Sequence, residues 1–303
     1  MSRWRRGARL VNADLPVKPA AFDYVRAESV TQAASLLRRH GDAARLIAGG
    51  QSLLPALNLR LAAPALLIDI GRIAALRGIA VLGGVLRIGA ATCHADLLHA
   101  LLIAQHAPLL AMAAAHIAHP AIRNRGTLGG SLAYADPAAE LPACVVALGA
   151  SIVVESERGE RTLPATEFFT GLFATQLAAD EVLTRIEIDV TTPGQRVAFH
   201  ELARRGGDYA LVGLAARGNV ADGQFSMLHL GYFAVGATPI LARNAAAALT
   251  GRPVDAAALE QAQAALAADL APQDDLQASA TTRMTLARLL LRRAVADLQE
   301  RPA

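Results

Sequence analysis

Apolar positions fall at helical spacing over residues 29–40, where Val30, Ala33, Ala34, Leu36 and Leu37 share a face and Gly41 stands just past the end. That spacing predicts an amphipathic helix. Residues 45–48 form a short apolar strand halted by Gly49-Gly50, residues 51–61 a helix, and residues 66–70 a second apolar strand. Strands and helices alternating in this way are α/β grammar. The pattern changes over residues 79–90, where two short apolar runs flank Gly83-Gly84 as the arms of a hairpin do. Thr92 is expected to cap a helix starting near His94, and residues 107–116 and 141–149 read as further helices. Residues 152–155 and 182–190 alternate like strands.

Thr191-Thr192-Pro193-Gly194 is a turn cluster and the expected domain boundary. Beyond it, residues 198–204, 209–217 and 225–235 read as strands separated by Gly206-Gly207-Asp208 and Asp222-Gly223. Turns this short imply an antiparallel meander. Helices are predicted over residues 241–250, 255–270 and 281–299. The expected fold class is α+β. Its parts are an extension over 1–17 expected to be disordered, a first domain over 18–190, and a C-terminal domain over 195–303 with a three-stranded antiparallel sheet plus helices.

Composition narrows the class. Hydrophobic residues make up 53% of the 303 residues, charged ones 18%, and the mean hydropathy of +0.33 raises the question of a membrane span. The longest stretch without a charged side chain, residues 97–122, carries Pro108, Pro120, Gln105 and four histidines, so no transmembrane segment is expected. The formal charge is +3, and residues 1–16 hold four arginines against one aspartate, which leaves the rest of the chain neutral. A neutral body with 4% aromatics lacks the basic stripe and stacking platform of a nucleic-acid binder. Arg5-Arg6 is not followed by an apolar stretch, so the expectation is a cytoplasmic protein. Lys18 is the only lysine and no glycine follows another at i+2, which excludes a Walker A loop and a GxGxxG turn. Cys93 and Cys144, far apart in apolar segments, read as free thiols and cannot hold an iron–sulfur cluster of four thiolates.

The candidate chemistry lies in two glycine pairs about 80 residues apart, Ala48-Gly49-Gly50-Gln51-Ser52 and Thr127-Leu128-Gly129-Gly130-Ser131. Adjacent glycines permit positive φ and let a ligand approach peptide N–H groups with no Cβ in the way. A strand leads into the first pair and a helix leaves it, which adds the positive end of a helix dipole. Each pair also reads as a plain tight turn, and by pattern alone that reading and a phosphate cradle stand level.

The surrounding residues make a resemblance specific. Arg45-Leu46-Ile47-Ala48-Gly49-Gly50-Gln51-Ser52-Leu53-Leu54-Pro55 and Ile122-Arg123-Asn124-Arg125-Gly126-Thr127-Leu128-Gly129-Gly130-Ser131 resemble the two FAD motifs of the FAD-binding medium subunit of molybdenum hydroxylases, the family of carbon monoxide dehydrogenase and xanthine dehydrogenase. Pro19-Ala20-Ala21-Phe22-Asp23-Tyr24 resembles the family's opening, and Arg204-Arg205-Gly206-Gly207-Asp208-Tyr209-Ala210 its C-terminal signature. The likeness runs over residues 19–293. It implies a two-part FAD-binding domain of the PCMH type, with residues 45–53 and 127–131 wrapping the pyrophosphate and adjoining groups. It also implies Glu140 facing polar groups of the cofactor, Ile117 near the flavin ring and, more distantly, Leu183. The same resemblance implies an electron-transfer role, with no catalytic side chain and no metal on this chain. The partners would be a large molybdopterin-binding subunit and a small [2Fe–2S] subunit in a dimer of heterotrimers. The sequence departs from the family at Tyr134, where a histidine is usual, at Ala118, where a glycine is common, and near His200 and Glu201, where some members place a lysine. It also suggests Val17 as the true start.

Other groupings are open to second readings. His116 and His119 have a metal-compatible spacing, but Pro120 ends their helix and no third ligand is near. Asp136 and Glu140 read as one carboxylate toward FAD and one capping the helix that follows, while Arg204, Arg205 and Asp208 read equally as an ion-pair turn or a contact with flavin or a partner. A self-contained flavin oxidase, its flavin tethered by Cys93 or His119, and a non-catalytic ligand-binding module are the competing functions.

Overall fold

The structure, a computed structural model, describes residues 19–300; the expectations for residues 1–17 lie outside them. Ser29 accepts the N–H of Gln32 at 3.1 Å and so opens α1 (Val30–His40), which buries Val30, Ala33, Ala34 and Leu37. Under that face lies a parallel sheet in the order β1 (Asp23–Arg26), β3 (Leu66–Asp69), β2 (Ala44–Ile47), with α2 (Leu53–Asn58) in the connection between β2 and β3. The predicted helix over 51–61 is shorter than expected because the chain turns out of it at Leu59 and Arg60, the latter at φ 58°.

The hairpin β4 (Ile79–Leu82) and β5 (Val85–Gly89) turns on Gly83 and Gly84 as expected, both with positive φ. It enters a five-stranded antiparallel sheet in the order β4-β5-β10-β6-β7, with β6 (Ser151–Ser156), β7 (Gly159–Pro164) and β10 (Val182–Asp189). A run of helices joins β5 to β6: α3 (His94–His99), α4 (Leu101–His106), α5 (Pro108–His116), α6 (Pro120–Arg123), α7 (Leu128–Tyr134) and α8 (Glu140–Leu148). Thr92 does not cap α3. Cys93 does, in a capping box with Asp96, whose carboxylate accepts the Cys93 N–H at 3.1 Å. Every residue from Leu141 to Leu148 is buried, so α8 is apolar all round because protein surrounds it.

Between β7 and β10 lie α9 (Ala165–Phe168) and a small ribbon of β8 (Phe169–Gly171) and β9 (Ala174–Thr175). The meander follows as β11 (Gln195–Ala203), β12 (Ala210–Ala221) and β13 (Gln224–Phe233). A two-residue β14 (Ile240–Leu241) pairs with β13, so the sheet has four strands rather than three. Leu241 therefore belongs to a strand, and the helix expected over 241–250 shrinks to α10 (Arg243–Ala247). The last helices, α11 (Ala256–Asp269) and α12 (Ala280–Glu300), match the pattern.

This sheet is covered on both faces. Val197, Phe199, Ala215 and Phe233 join the core that contains α5 and α8, while Ala198, Val212, Leu214, Ala216 and Tyr232 face α11 and α12. Arg283 of α12, buried, donates to the carbonyls of Leu211 and Ala234 and to Asp275, tying the helix to β12 and β13. Among the described residues no helix is long and apolar enough to cross a membrane.

Candidate functional site

Ligands of open parallel sheets collect beyond the carboxyl ends of the strands, where loops diverge. Here the three ends are occupied by Tyr24 and Arg26 on β1, Ala48 and Gly49 after β2, and Asp69, Gly71 and Arg72 after β3. With Arg77, Cys93, Asn124, Arg125 and Thr127 they line a cleft of about 340 Å³. Four guanidinium groups face one carboxylate in it, and that carboxylate is engaged. Asp69 accepts the Tyr24 hydroxyl and the Gly71 N–H at 2.8 Å, and it lies 3.8 Å from the Arg26 Nε. Arg77 is held by the Gly71 carbonyl through Nη2 at 2.5 Å. The side chains of Arg72 and Arg125 have no protein acceptor among the described residues.

The first glycine motif forms one wall. Gly50 takes φ +74°, which reverses the chain between β2 and α2. Among the described residues, the backbone N–H groups of Gly49, Gly50, Gln51 and Ser52 donate to no protein acceptor; the Gln51 amide folds back on the Gly49 carbonyl at 2.9 Å. A run of open N–H groups around a left-handed residue is an anion-binding concavity. A Cβ on Gly49 would stand 2.0 Å from the Arg125 carbonyl oxygen, so only glycine lets the first motif sit against the segment leading into the second.

The second motif is built differently from the expected loop. Thr127 is the N-cap of α7 and its Oγ1 accepts the Gly130 N–H at 3.1 Å, so Gly129 and Gly130 are helical with ordinary φ. The N–H groups of Leu128, Gly129 and Ser131 go to the carbonyls of Thr92, Ala90 and Thr127. Among the described residues the Thr127 N–H has no protein acceptor, so the second motif offers that one peptide donor together with its side-chain hydroxyls. Its glycines serve close packing, since a Cβ on Gly129 would lie 2.5 Å from that of Ala90.

A second cleft of about 370 Å³ opens between the end of α5 and the β11–β12 turn, lined by Ala115, His116, Ala118, Glu201, Ala203, Arg205, Gly206 and Gly207. Ala118 occupies the left-handed region at φ 36°, and Arg123 braces the strained segment by donating to the Ile117 carbonyl at 2.7 Å and the Ala118 carbonyl at 3.1 Å. Burial raises Glu140 to about 7, with Asp136 adding to the shift. Burial raises Glu201 to about 8, with Glu140 adding, and its Oε2 is enclosed without a hydrogen-bond partner among the described residues. Neither Asp136 nor Glu140 caps α8, contrary to expectation: the N-cap is Ala139, and Asp136 accepts the Ala138 N–H at 2.9 Å. Arg204, Arg205 and Asp208 form no ion pair with one another; Arg204 reaches the Gln277 carbonyl at 2.8 Å.

Of the residues singled out from sequence, Ala48, Gly49 and Thr127 line the first cleft. Gly50, Gln51 and Ser52 continue its open donor run, and Leu53 begins α2. Leu128, Gly129, Gly130 and Ser131 form the first turn of α7, and Ile117 sits beside the second cleft, 8% exposed. Three residues stand apart. Arg45 is turned onto the carbonyls of Asp42 and Ala44, Leu46 packs against the α1 core, and Leu183 is buried in the central core. Sequence reading missed Arg26, Asp69, Arg72 and Arg77 as cleft residues. The signal that finds Arg26, Asp69 and Arg72 is their position at or just after the strand ends, while Arg77 comes from the connection leading into β4. The donor set fits an anionic group in the first cleft, while the second cleft combines small residues with His116, Glu201 and Arg205. Cys93, a free thiol, is the N-cap residue of α3 and lines the first cleft.

Residues 20–190 match the family described as FAD binding domain in molybdopterin dehydrogenase, and residues 197–298 match the CO dehydrogenase flavoprotein C-terminal domain. The 6-hydroxypseudooxynicotine dehydrogenase complex subunit alpha of Paenarthrobacter nicotinovorans is 39% identical over 286 residues, covering 94% of this chain and 97% of the relative. The carbon monoxide dehydrogenase medium chain of Hydrogenophaga pseudoflava is 36% identical over 277 residues, covering 91% and 96%. A solved structure of carbon monoxide dehydrogenase from Hydrogenophaga pseudoflava contains a chain that superposes with a TM-score of 0.92 at 38% identity, over 94% of this chain and 99% of that one.

Proposed function

Because this chain belongs to the FAD-binding subunit family of molybdopterin dehydrogenases, we propose that it is the electron-transfer flavoprotein subunit of such an enzyme, with residues 18–190 as its FAD-binding domain and 195–303 as its C-terminal domain. The observation that carries the reading is the open N–H run from Gly49 to Ser52, which begins in the cleft that Arg72 and Arg125 line. These groups would hold the pyrophosphate, with Thr127 and Ser131 beside it. Ile117 and Glu140 would border the flavin ring near the second cleft, while Arg45, Leu46 and Leu183 act by holding the strands in place. When bound, FAD supplies the redox chemistry, accepting electrons from a [2Fe–2S] subunit and passing them to an external acceptor. This chain's residues bind, orient and screen; none needs to act as acid, base or nucleophile.

Two cysteines cannot ligate an all-cysteine [2Fe–2S] cluster, so the iron–sulfur centres and the molybdopterin belong to partner subunits. The proposed assembly is a cytoplasmic dimer of heterotrimers with one large, one small and one copy of this subunit. The relatives named above serve dehydrogenases of 6-hydroxypseudooxynicotine and of carbon monoxide, so substrate choice is assigned to the large subunit. The test is substrate-dependent dye reduction by the chain expressed with and without both partner subunits. Activity only in the complex is expected; oxidation of an organic substrate by the lone chain, free of molybdenum and iron, would favour a self-contained oxidase.

A further inference from the structure

His94 opens α3 directly behind the second glycine motif and is 5% exposed. Gly126 admits its ring: a Cβ there would stand 2.9 Å from both Cε1 and Nδ1. The imidazole Nε2 lies 3.1 Å from the Ser131 Oγ, while Nδ1 is enclosed and has no hydrogen-bond partner among the described residues. The two neutral tautomers are therefore unequal. A proton on Nδ1 would bury an N–H donor with nothing to receive it; a proton on Nε2 points at the Ser131 oxygen, beside the Thr127 carbonyl. Burial keeps the ring uncharged by pushing it down to about 4, the Thr127 backbone bond opposing and Arg123 adding.

With Nε2 donating, Ser131 accepts from His94 and keeps its own hydrogen for another acceptor. Inside a helix that hydrogen would ordinarily turn back to the carbonyl four residues earlier. Here that carbonyl belongs to Thr127, which takes the Ser131 N–H at 3.0 Å and is also engaged by the His94 ring, so donors already stand at both of its lone pairs. We propose that His94 is a positioning residue that presets the Ser131 hydroxyl as a hydrogen-bond donor to an anionic oxygen of the bound cofactor. The proposal rests on the FAD reading, deepens it, and assigns the second motif a side-chain donor where its helix consumes the peptide N–H groups of Leu128 to Ser131.

Two measurements on the full-length chain test it. The first is two-bond ¹H–¹⁵N correlation of histidine-labelled protein, with the His94 signal assigned by its loss in His94→Gln. A neutral Nε2–H ring between about pH 6 and 8 is expected, with and without FAD; an Nδ1–H or charged ring overturns the proposal. The second is a cycle of FAD dissociation constants. Ser131→Ala and His94→Leu should each weaken binding about tenfold, and the double variant no further. His94→Gln, whose amide nitrogen stands in for Nε2, should recover affinity to within about threefold of wild type. Additive losses, or a glutamine variant as weak as the leucine one, overturn the role of His94 while leaving the FAD reading intact. A wild-type chain that takes up no FAD overturns both.

Discussion

Gly49 and Arg125 are packed so tightly that a Cβ on Gly49 would lie 2.0 Å from the Arg125 carbonyl oxygen and 2.9 Å from the Gly126 Cα. Both neighbours are backbone, so nothing flexible can give way. Gly49→Ala must push the first motif off the segment leading into the second. Overpacking of this kind costs about 1–3 kcal/mol, and both the thermal midpoint and FAD retention should fall. Gly171→Ala, where the nearest atom is the Ala174 Cβ at 3.9 Å, serves as the comparison and should leave both unchanged. Equal behaviour of the two variants would mean that the motifs are not seated as described.

Arg72 and Arg125 bring charge into the first cleft and pair with no carboxylate among the described residues. Hydrogen bonds to charged groups are worth about 1.5–3 kcal/mol. Arg72→Gln and Arg125→Gln should therefore each weaken FAD binding roughly 10–100-fold. Both should also flatten the salt dependence of binding, which titrations at two ionic strengths would read. Unchanged affinity and salt dependence would place the anionic part of the ligand elsewhere.

Five helices, α1, α5, α8, α11 and α12, fall within one residue of the pattern: α1 and α12 show a periodic buried face, and α8 is a long apolar run ended by Gly149. The missed elements have physical reasons. β1 and β7 are largely exposed on both faces, so no alternation marks them. β14 is two residues long, and α7 contains Gly129-Gly130, which read as a loop until Thr127 is seen capping them. The two glycine motifs stood out because their residues are contiguous. Arg26, Arg72 and Arg77 did not, because three parallel strands are needed to gather them.

The carboxylates beside the second cleft make a pH prediction. An unfolded glutamate loses its proton near 4.5, whereas folded Glu201 keeps it to about 8, chiefly through burial. Between those values the folded state binds more protons, so the stabilisation present below pH 4.5 disappears as pH rises through 8. Glu201→Gln, which cannot ionise, should gain on the wild type by about 2 kcal/mol between pH 5 and 9, a figure reduced for the solvent that reaches the cleft. Urea unfolding of the FAD-free chain at the two pH values measures it. Parallel pH profiles for the two proteins would show that Glu201 is solvated rather than enclosed.

The central claim is that one FAD binds noncovalently across the two glycine motifs, and flavin occupancy reads it directly. The chain, the Gly50→Asp variant and the Gly130→Asp variant would be purified with excess FAD, freed of unbound flavin and precipitated with acid. About one FAD per wild-type chain should appear in the supernatant. The variants should retain little: at Gly50 the carboxylate enters the open donor run, and at Gly130 a Cβ meets the Thr127 Oγ1 at 2.7 Å and brings a negative charge beside the Thr127 and Ser131 hydroxyls, each costing about 2–4 kcal/mol. Full occupancy in both aspartate variants, or flavin left in the acid pellet, would contradict the account.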